Sequence, residues 1–147
     1  MSIAERTVET VWEGSLSSGS GTLKDTSGAL DGHPVTWASR TEQPGGKTSP
    51  EELAAAAHSS CFSMALAGAL AEHQLTPTTL TVSSTVTLDK VDGALTVVSS
   101  ALKIEGDVPG TDAAGFQGIV DEAAAGCPIS RLFAGANITI DAKLKGA

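Results

Sequence analysis

The chain has 147 residues, 41% of them hydrophobic, and a formal net charge of −8. That length and apolar share suit a single domain, residues 1–147, with a core of its own. The acidic balance, with no cluster of Lys or Arg, excludes nucleic acid and an anionic membrane surface as partners.

The segment from Met1 to Val8 shows no basic region followed by an apolar run, so no secretory signal is expected and the cytoplasm is the default compartment. From Arg6 to Gly14, Val8, Val11 and Trp12 alternate with polar residues. The small-residue turn Ser15–Gly21 then leads into Thr22–Lys24, which predicts a first hairpin. Pro34–Arg40 alternates, Val35 and Trp37 on one face and Thr36, Ala38 and Arg40 on the other, so a third strand ending at Arg40 is expected. Thr41–Thr48 is a loop by composition.

The longest helix-compatible stretch runs from Ser49 to Ala71. Ser49 suits the N-cap, Pro50 the first helical position, and Glu52 the capping-box carboxylate that reaches back to the cap. Apolar and small residues occupy every face from Leu53 onward, which predicts a helix buried all round with Cys61 inside the protein. Its length approaches that of a membrane span, but the Ala, Gly and Ser content and the absence of basic flanks point to a core helix.

After Thr76-Pro-Thr-Thr, Leu80, Val82, Val86 and Leu88 recur at period two. A turn at Asp89–Gly93 and a returning strand over 94–105 complete a second hairpin. Leu95 and Val97 hold one parity and Val98, Leu102 and Ile104 the other, which predicts a bulge or a change of buried face near Val97. Asp112–Ala125 carries Phe116, Ile119, Val120 and Ala123 at helical spacing, Cys127-Pro128 opens a further short helix, and Ile138, Ile140, Ala142 and Leu144 mark a closing strand. The order predicts an α+β fold, antiparallel sheets packed around a long central buried helix, without parallel β-α-β alternation. No dinucleotide or phosphate-loop glycine pattern is present.

Cys61 and Cys127 are far apart in sequence and form neither a CxxC motif nor a disulfide scaffold. A mid-helix thiol such as Cys61 is ordinarily a small hydrophobe. Cys127 at a helix start is placed where unpaired amides and the helix dipole favour thiolate, so a dithiol redox couple becomes a candidate. His58, three residues before Cys61 on the same helix face, would make a Cys–His hydrolase, although nothing nominates its orienting group or oxyanion hole. A zinc site from Cys61, Cys127 and a His has no ligand spacing behind it.

The stretch Thr48–Leu66 and the motif Ala125-Gly-Cys-Pro-Ile-Ser130 resemble the two cysteine motifs of the OsmC/Ohr family of thiol-dependent peroxidases, and the OsmC branch more than the Ohr branch. Trp12-Glu-Gly14, Arg40, Leu88–Asp92 and Val108-Pro-Gly110 extend the likeness over most of the chain. The resemblance implies an OsmC-like fold and reduction of organic hydroperoxides, with Cys61 as the peroxidatic thiolate and Cys127 as the resolving thiol. It also implies Arg40 as the cation beside the Cys61 thiolate and Glu51 as the carboxylate that holds the guanidinium. It further implies an intertwined homodimer, a dithiol reductant such as protein-bound dihydrolipoamide, and no metal, haem or flavin. On one continuous helix, Glu51 and Cys61 stand about 15 Å apart at the standard rise. Spacing and family analogy together therefore suggest that Arg40 and Glu51 of one subunit meet Cys61 of the other.

Overall fold

In the computed structural model, which describes all 147 residues, the backbone follows most of the predicted elements and departs from the prediction at two places, before the long helix and at the last strand. The chain forms two compact units, residues 1–53 and residues 54–147.

In the first unit, β1 (Val8–Glu13) and β2 (Ser20–Asp25) form the expected antiparallel hairpin, Val8 opposite Asp25 and Glu13 opposite Ser20. β3 is only Pro34–Val35, paired antiparallel to β2. The strand predicted to continue to Arg40 is instead a short helix, α1 (Trp37–Thr41). Its cause is local: the Ser39 amide donates to the Thr36 hydroxyl at 3.0 Å, and the Thr36 amide donates to the Ser39 hydroxyl at 2.9 Å. This reciprocal cap outweighs the alternation over Pro34–Arg40, so Arg40 lies in the last turn of a helix and not at the end of a strand. The Ser39 hydroxyl, itself buried, also lies 3.0 Å from the Thr48 carbonyl, tying α1 to the residues before the next helix.

The long helix α2 runs unbroken over Pro50–Glu72. The Glu52 amide donates to the Ser49 hydroxyl at 3.1 Å, as expected of an N-cap. The Glu52 carboxylate does not reach back to the cap amide, because it accepts the Thr48 hydroxyl at 2.9 Å. At the other end, Gln74 takes a positive φ of 58°. The Leu75 amide donates to Leu70 O and the Gln74 amide to Ala71 O, a Schellman closure with glutamine where glycine is usual.

In the second unit α2 buries a single stripe, His58, Phe62, Leu66 and Leu70, one residue per turn. Within one chain the helix is therefore buried along one stripe, and not on every face as expected. Ser60, Met64, Ala67, Gly68 and Ala71 are exposed, and Met64 is 70% accessible. Those faces are built of small residues, whose lack of charge reads in sequence like burial. Burying Phe62, Leu66 and Leu70 contributes about 2 kcal/mol each before the entropy of ordering them, which is what holds this stripe against the core. Although α2 is long and apolar enough to cross a membrane, that packing makes it a core helix.

β4 (Thr79–Val91) and β5 (Ala94–Asp107) form the second hairpin. Its two-residue turn is Asp92-Gly93, at φ 49° and 84°, the left-handed pair that a tight hairpin requires. Pairing jumps from Leu88 opposite Val97 to Thr87 opposite Ser99, leaving Val98 as a bulge beside Val97, where a bulge or a change of face was expected. α3 (Ala113–Gly126) and α4 (Pro128–Leu132) follow, and β6 (Asn137–Leu144) returns to the other edge of β5. β6 lies parallel to β5, Ser99 beside Asn137 and Gly106 beside Leu144. The sheet is therefore mixed, where an antiparallel one was expected. Two helices intervene between β5 and β6, and this crossover makes the parallel return attainable.

Leu102 and Ile104 of β5 meet Phe116, Ile119, Val120 and Ala123 of α3 and the α2 stripe in one core that ends at Cys127. Gly106 is required where α3 crosses the sheet: a Cβ there would stand 2.6 Å from Cζ of the buried Phe116. Gly106→Ala is expected to lower stability by about 1–3 kcal/mol through overpacking, measurable as a lower urea midpoint with unchanged slope.

Candidate active site

α2 and the start of α4 position the two thiols. Cys61 follows the buried His58 by one turn and is half-buried, whereas Cys127, between α3 and Pro128 of α4, is fully buried. Their sulfurs are 3.6 Å apart and both are free thiols. Disulfide bonding needs about 2.0 Å, so a small side-chain movement joins them.

The two thiols sit in different electrostatic surroundings. Burial pushes Cys61 above its ordinary value; the Ile129 amide opposes this, and the neighbouring Cys127 adds to it. Burial also acts upward on Cys127 but is outweighed, so that thiol lies below its ordinary value. Although Cys127 closes no cap hydrogen bond of the serine kind, its sulfur faces the Ser130 hydroxyl, the amides of Ser130 and Ile129, and Cys61, all of which favour thiolate.

Arg40 and Glu51 meet within the first unit. Arg40 Nη2 donates to Glu51 Oε1 at 2.7 Å and Nε is 3.1 Å from both carboxylate oxygens. The pair is partly shielded, with the Glu51 side chain 11% exposed, and the fork-to-carboxylate geometry fixes the plane of the guanidinium. The four predicted site residues thus fall into two contacting pairs, Arg40 with Glu51 and Cys61 with Cys127.

His58 has no contact suited to a hydrolase base. Its Nδ1 lies 2.6 Å from the Ser100 hydroxyl and its Nε2 lies 2.8 Å from the Ser130 hydroxyl. Its ring meets Phe133 edge-on at 5.2 Å. Both nitrogens are occupied and Cys61 is the partner of neither, so the Cys–His arrangement allowed by helix spacing is not formed. Burial lowers the pKa of His58, which keeps the imidazole neutral. No group of three or more His, Cys, Asp or Glu side chains converges as a metal site would require.

Sequence reasoning passed over Ser84, Ser100 and Ser130 as participants. Two of the three carried a signal. Position 84 is the missing member of the Leu80, Val82, Val86 run, and Ser100 shares the buried parity of Leu102 and Ile104, so each is polar where the pattern asks for an apolar residue.

The family model described as OsmC-like protein matches residues 43–143. Peroxiredoxin OsmC of Escherichia coli (strain K12) is 46% identical over 134 residues, covering 91% of this chain and 92% of that protein. Among solved structures, the organic hydroperoxide resistance protein OhrB of Bacillus subtilis superposes with a TM-score of 0.76 at 23% identity, over 98% of this chain and all of that one. The OsmC-like protein of Mycoplasma pneumoniae gives 0.75 at 13% identity, over 97% of this chain and 99% of that one. The structural likenesses carry the fold; the family match over most of the chain and the 46% identity to an OsmC protein carry the kinship. The chain belongs to the OsmC family, on its OsmC branch.

Proposed function

We propose that this chain, a peroxidase-type redox enzyme by its family, reduces organic hydroperoxides by a two-thiol cycle. The observation that carries the reading is the pair of free sulfurs held 3.6 Å apart inside a fold shared with hydroperoxide resistance proteins. The Cys61 thiolate attacks the terminal peroxide oxygen, the O–O bond breaks, and the alkoxide leaves as alcohol after taking a proton. Cys61 is left as a sulfenic acid. Cys127 then attacks that sulfur, forming the Cys61–Cys127 bond and expelling water, and an external dithiol reduces the disulfide back to two thiols.

Burial alone disfavours the Cys61 thiolate, so the cycle needs a cation beside it. Arg40, with its plane set by Glu51, is our choice for that cation, and the partner subunit of a homodimer is our choice for its source. Ten helical residues separate Glu51 from Cys61, about 15 Å along the axis, which favours action across subunits. The bare small-residue face of α2, with Met64 at its centre, supports a homodimer. We place the protein in the cytoplasm, where dithiols such as protein-bound dihydrolipoamide would serve as reductant.

One equivalent of an alkyl hydroperoxide is expected to convert the reduced protein into a species with a single intrachain Cys61–Cys127 disulfide, identified by mapping a non-reduced digest. With a dithiol present, hydroperoxide consumption should continue through many turnovers. Disulfides formed only between chains would overturn the cycle, and a single oxidation without turnover would mark a sensor and not an enzyme.

A further inference from the structure

The two sulfurs come from α2 and from the start of α4, and these same two helices meet a second time. His58 and Cys61 are one turn apart on one face of α2, and Cys127 and Ser130 have the same spacing at α4. Cys61 Sγ lies 3.6 Å from Cys127 Sγ, and His58 Nε2 lies 2.8 Å from the Ser130 hydroxyl. The His58 ring also meets Phe133, which caps the end of α4, edge-on at 5.2 Å. From its other side the sheet grips the imidazole. Nδ1 lies 2.6 Å from the Ser100 hydroxyl of β5, which in turn lies 2.8 Å from that of Ser84 on β4.

α4 has little else to hold it. Five residues are too few for a helix to stand alone; none of these five is buried, Leu132 is 73% exposed, and no side chain bonds to the amides at its start. Of the five, Ile129 is the one that packs against the core. The Arg131 amide donates to Cys127 O at 3.2 Å and the Phe133 amide to Ile129 O at 2.9 Å, so the segment from Cys127 to Phe133 moves as one piece. A grip on Ser130 and Phe133 is therefore a grip on Cys127. Apolar packing tolerates sliding, whereas hydrogen bonds to both nitrogens of a wholly buried ring are directional and costly to break.

We propose that His58 is the positioning residue of the resolving step: anchored to the sheet by Ser100 and Ser84, it holds α4 against α2 so that Cys127 stays within reach of Cys61. The inference rests on the two-thiol cycle proposed above and adds to it the group that sets its geometry. In that step the S–S bond forms as the S–O bond of the Cys61 sulfenic acid breaks, and the departing hydroxide leaves as water with the hydrogen of the Cys127 thiol. Cys127 sulfur is oxidised as Cys61 sulfur is reduced. No atom of His58 takes part. Its contribution is the effective concentration of one sulfur at the other.

The test is thiol–disulfide exchange with graded mixtures of dihydrolipoic and lipoic acid, in which two thiols of one partner are oxidised as the disulfide of the other is reduced. His58→Leu fills the space without polar atoms. It should lower the equilibrium constant for the Cys61–Cys127 disulfide by about tenfold, the scale of one lost hydrogen bond, which raises the reduction potential by about 30 mV. His58→Gln, whose amide can donate and accept, should recover part of the loss. Should the core reject leucine, Ser130→Ala at a half-buried position carries the test: the same fall is expected, and Ser130→Thr should reverse most of it. In the reduced Ser130→Ala protein the Arg131 and Phe133 amides should exchange hydrogen faster by a similar factor, with β5 unchanged. An equilibrium constant that stays level or rises in Ser130→Ala overturns the proposal. So does a fall without faster exchange in α4, because Ser130 would then act on the thiol itself and not on its position. No hydroperoxide enters these measurements, so a wild type that reduces none would sink the peroxidase cycle while leaving the role of His58 to be decided by the exchange.

Discussion

Cys61→Ser is expected to reduce hydroperoxide consumption by roughly four orders of magnitude or more, the scale on which loss of a catalytic nucleophile acts. The substitution barely changes side-chain volume at a half-buried position, so the core built on Phe62, Leu66 and Leu70 of the same helix should keep the fold and its unfolding midpoint. The hydroxyl is not ionised near neutral pH and has no base at hand. Both nitrogens of His58, the neighbouring candidate base, are committed to Ser100 and Ser130. The loss should therefore appear entirely in the first reaction with hydroperoxide, followed by single-turnover mixing. A variant that still consumes hydroperoxide at a substantial fraction of the wild-type rate would move the peroxidatic role to Cys127, the thiol whose surroundings within one chain favour the thiolate more.

What could be read in advance and what could not follows a physical division between local and non-local order. Ser49 and Pro50, the Asp92-Gly93 turn and the parity slip at Val98 act over a few residues, and each produced the element that it announced. Where two local signals competed, the reading failed: the alternation from Val35 to Trp37 was overridden by the Thr36–Ser39 cap, which the same residues also encode. The direction of β6 was not legible, because period two marks a half-buried strand without marking which way its neighbour runs. α2 misled for a different reason. Ala and Gly carry no charge to mark an exposed face, and only the fold tells the stripe at His58, Phe62, Leu66 and Leu70 from the rest. Both thiols stood out because cysteine is scarce in the chain. The serines around His58 did not, since their meeting depends on β4, β5 and α4 arriving together.

Cys127→Ser should separate the two halves of the proposed cycle. The first reaction of Cys61 with hydroperoxide should proceed at close to the wild-type rate, because the bond that breaks lies in the peroxide and Cys127 contributes no atom to it. Removing Cys127 also removes a neighbour that raises the Cys61 pKa, so the initial thiolate population should not fall. Resolution is where the loss appears. With no sulfur 3.6 Å away, the sulfenic acid waits for an external thiol to reach a half-buried site, and dithiol-supported turnover should drop by at least about tenfold for want of the internal nucleophile. Under excess hydroperoxide the waiting sulfenic acid is oxidised again, so mass spectrometry should find Cys61 carrying two or more added oxygens, a state that dithiols do not reverse. The wild type under the same conditions should hold mainly the intrachain disulfide. If Cys127→Ser turns over normally and its Cys61 stays free of added oxygen, Cys127 serves only to start α4, and the close approach of the two sulfurs is packing.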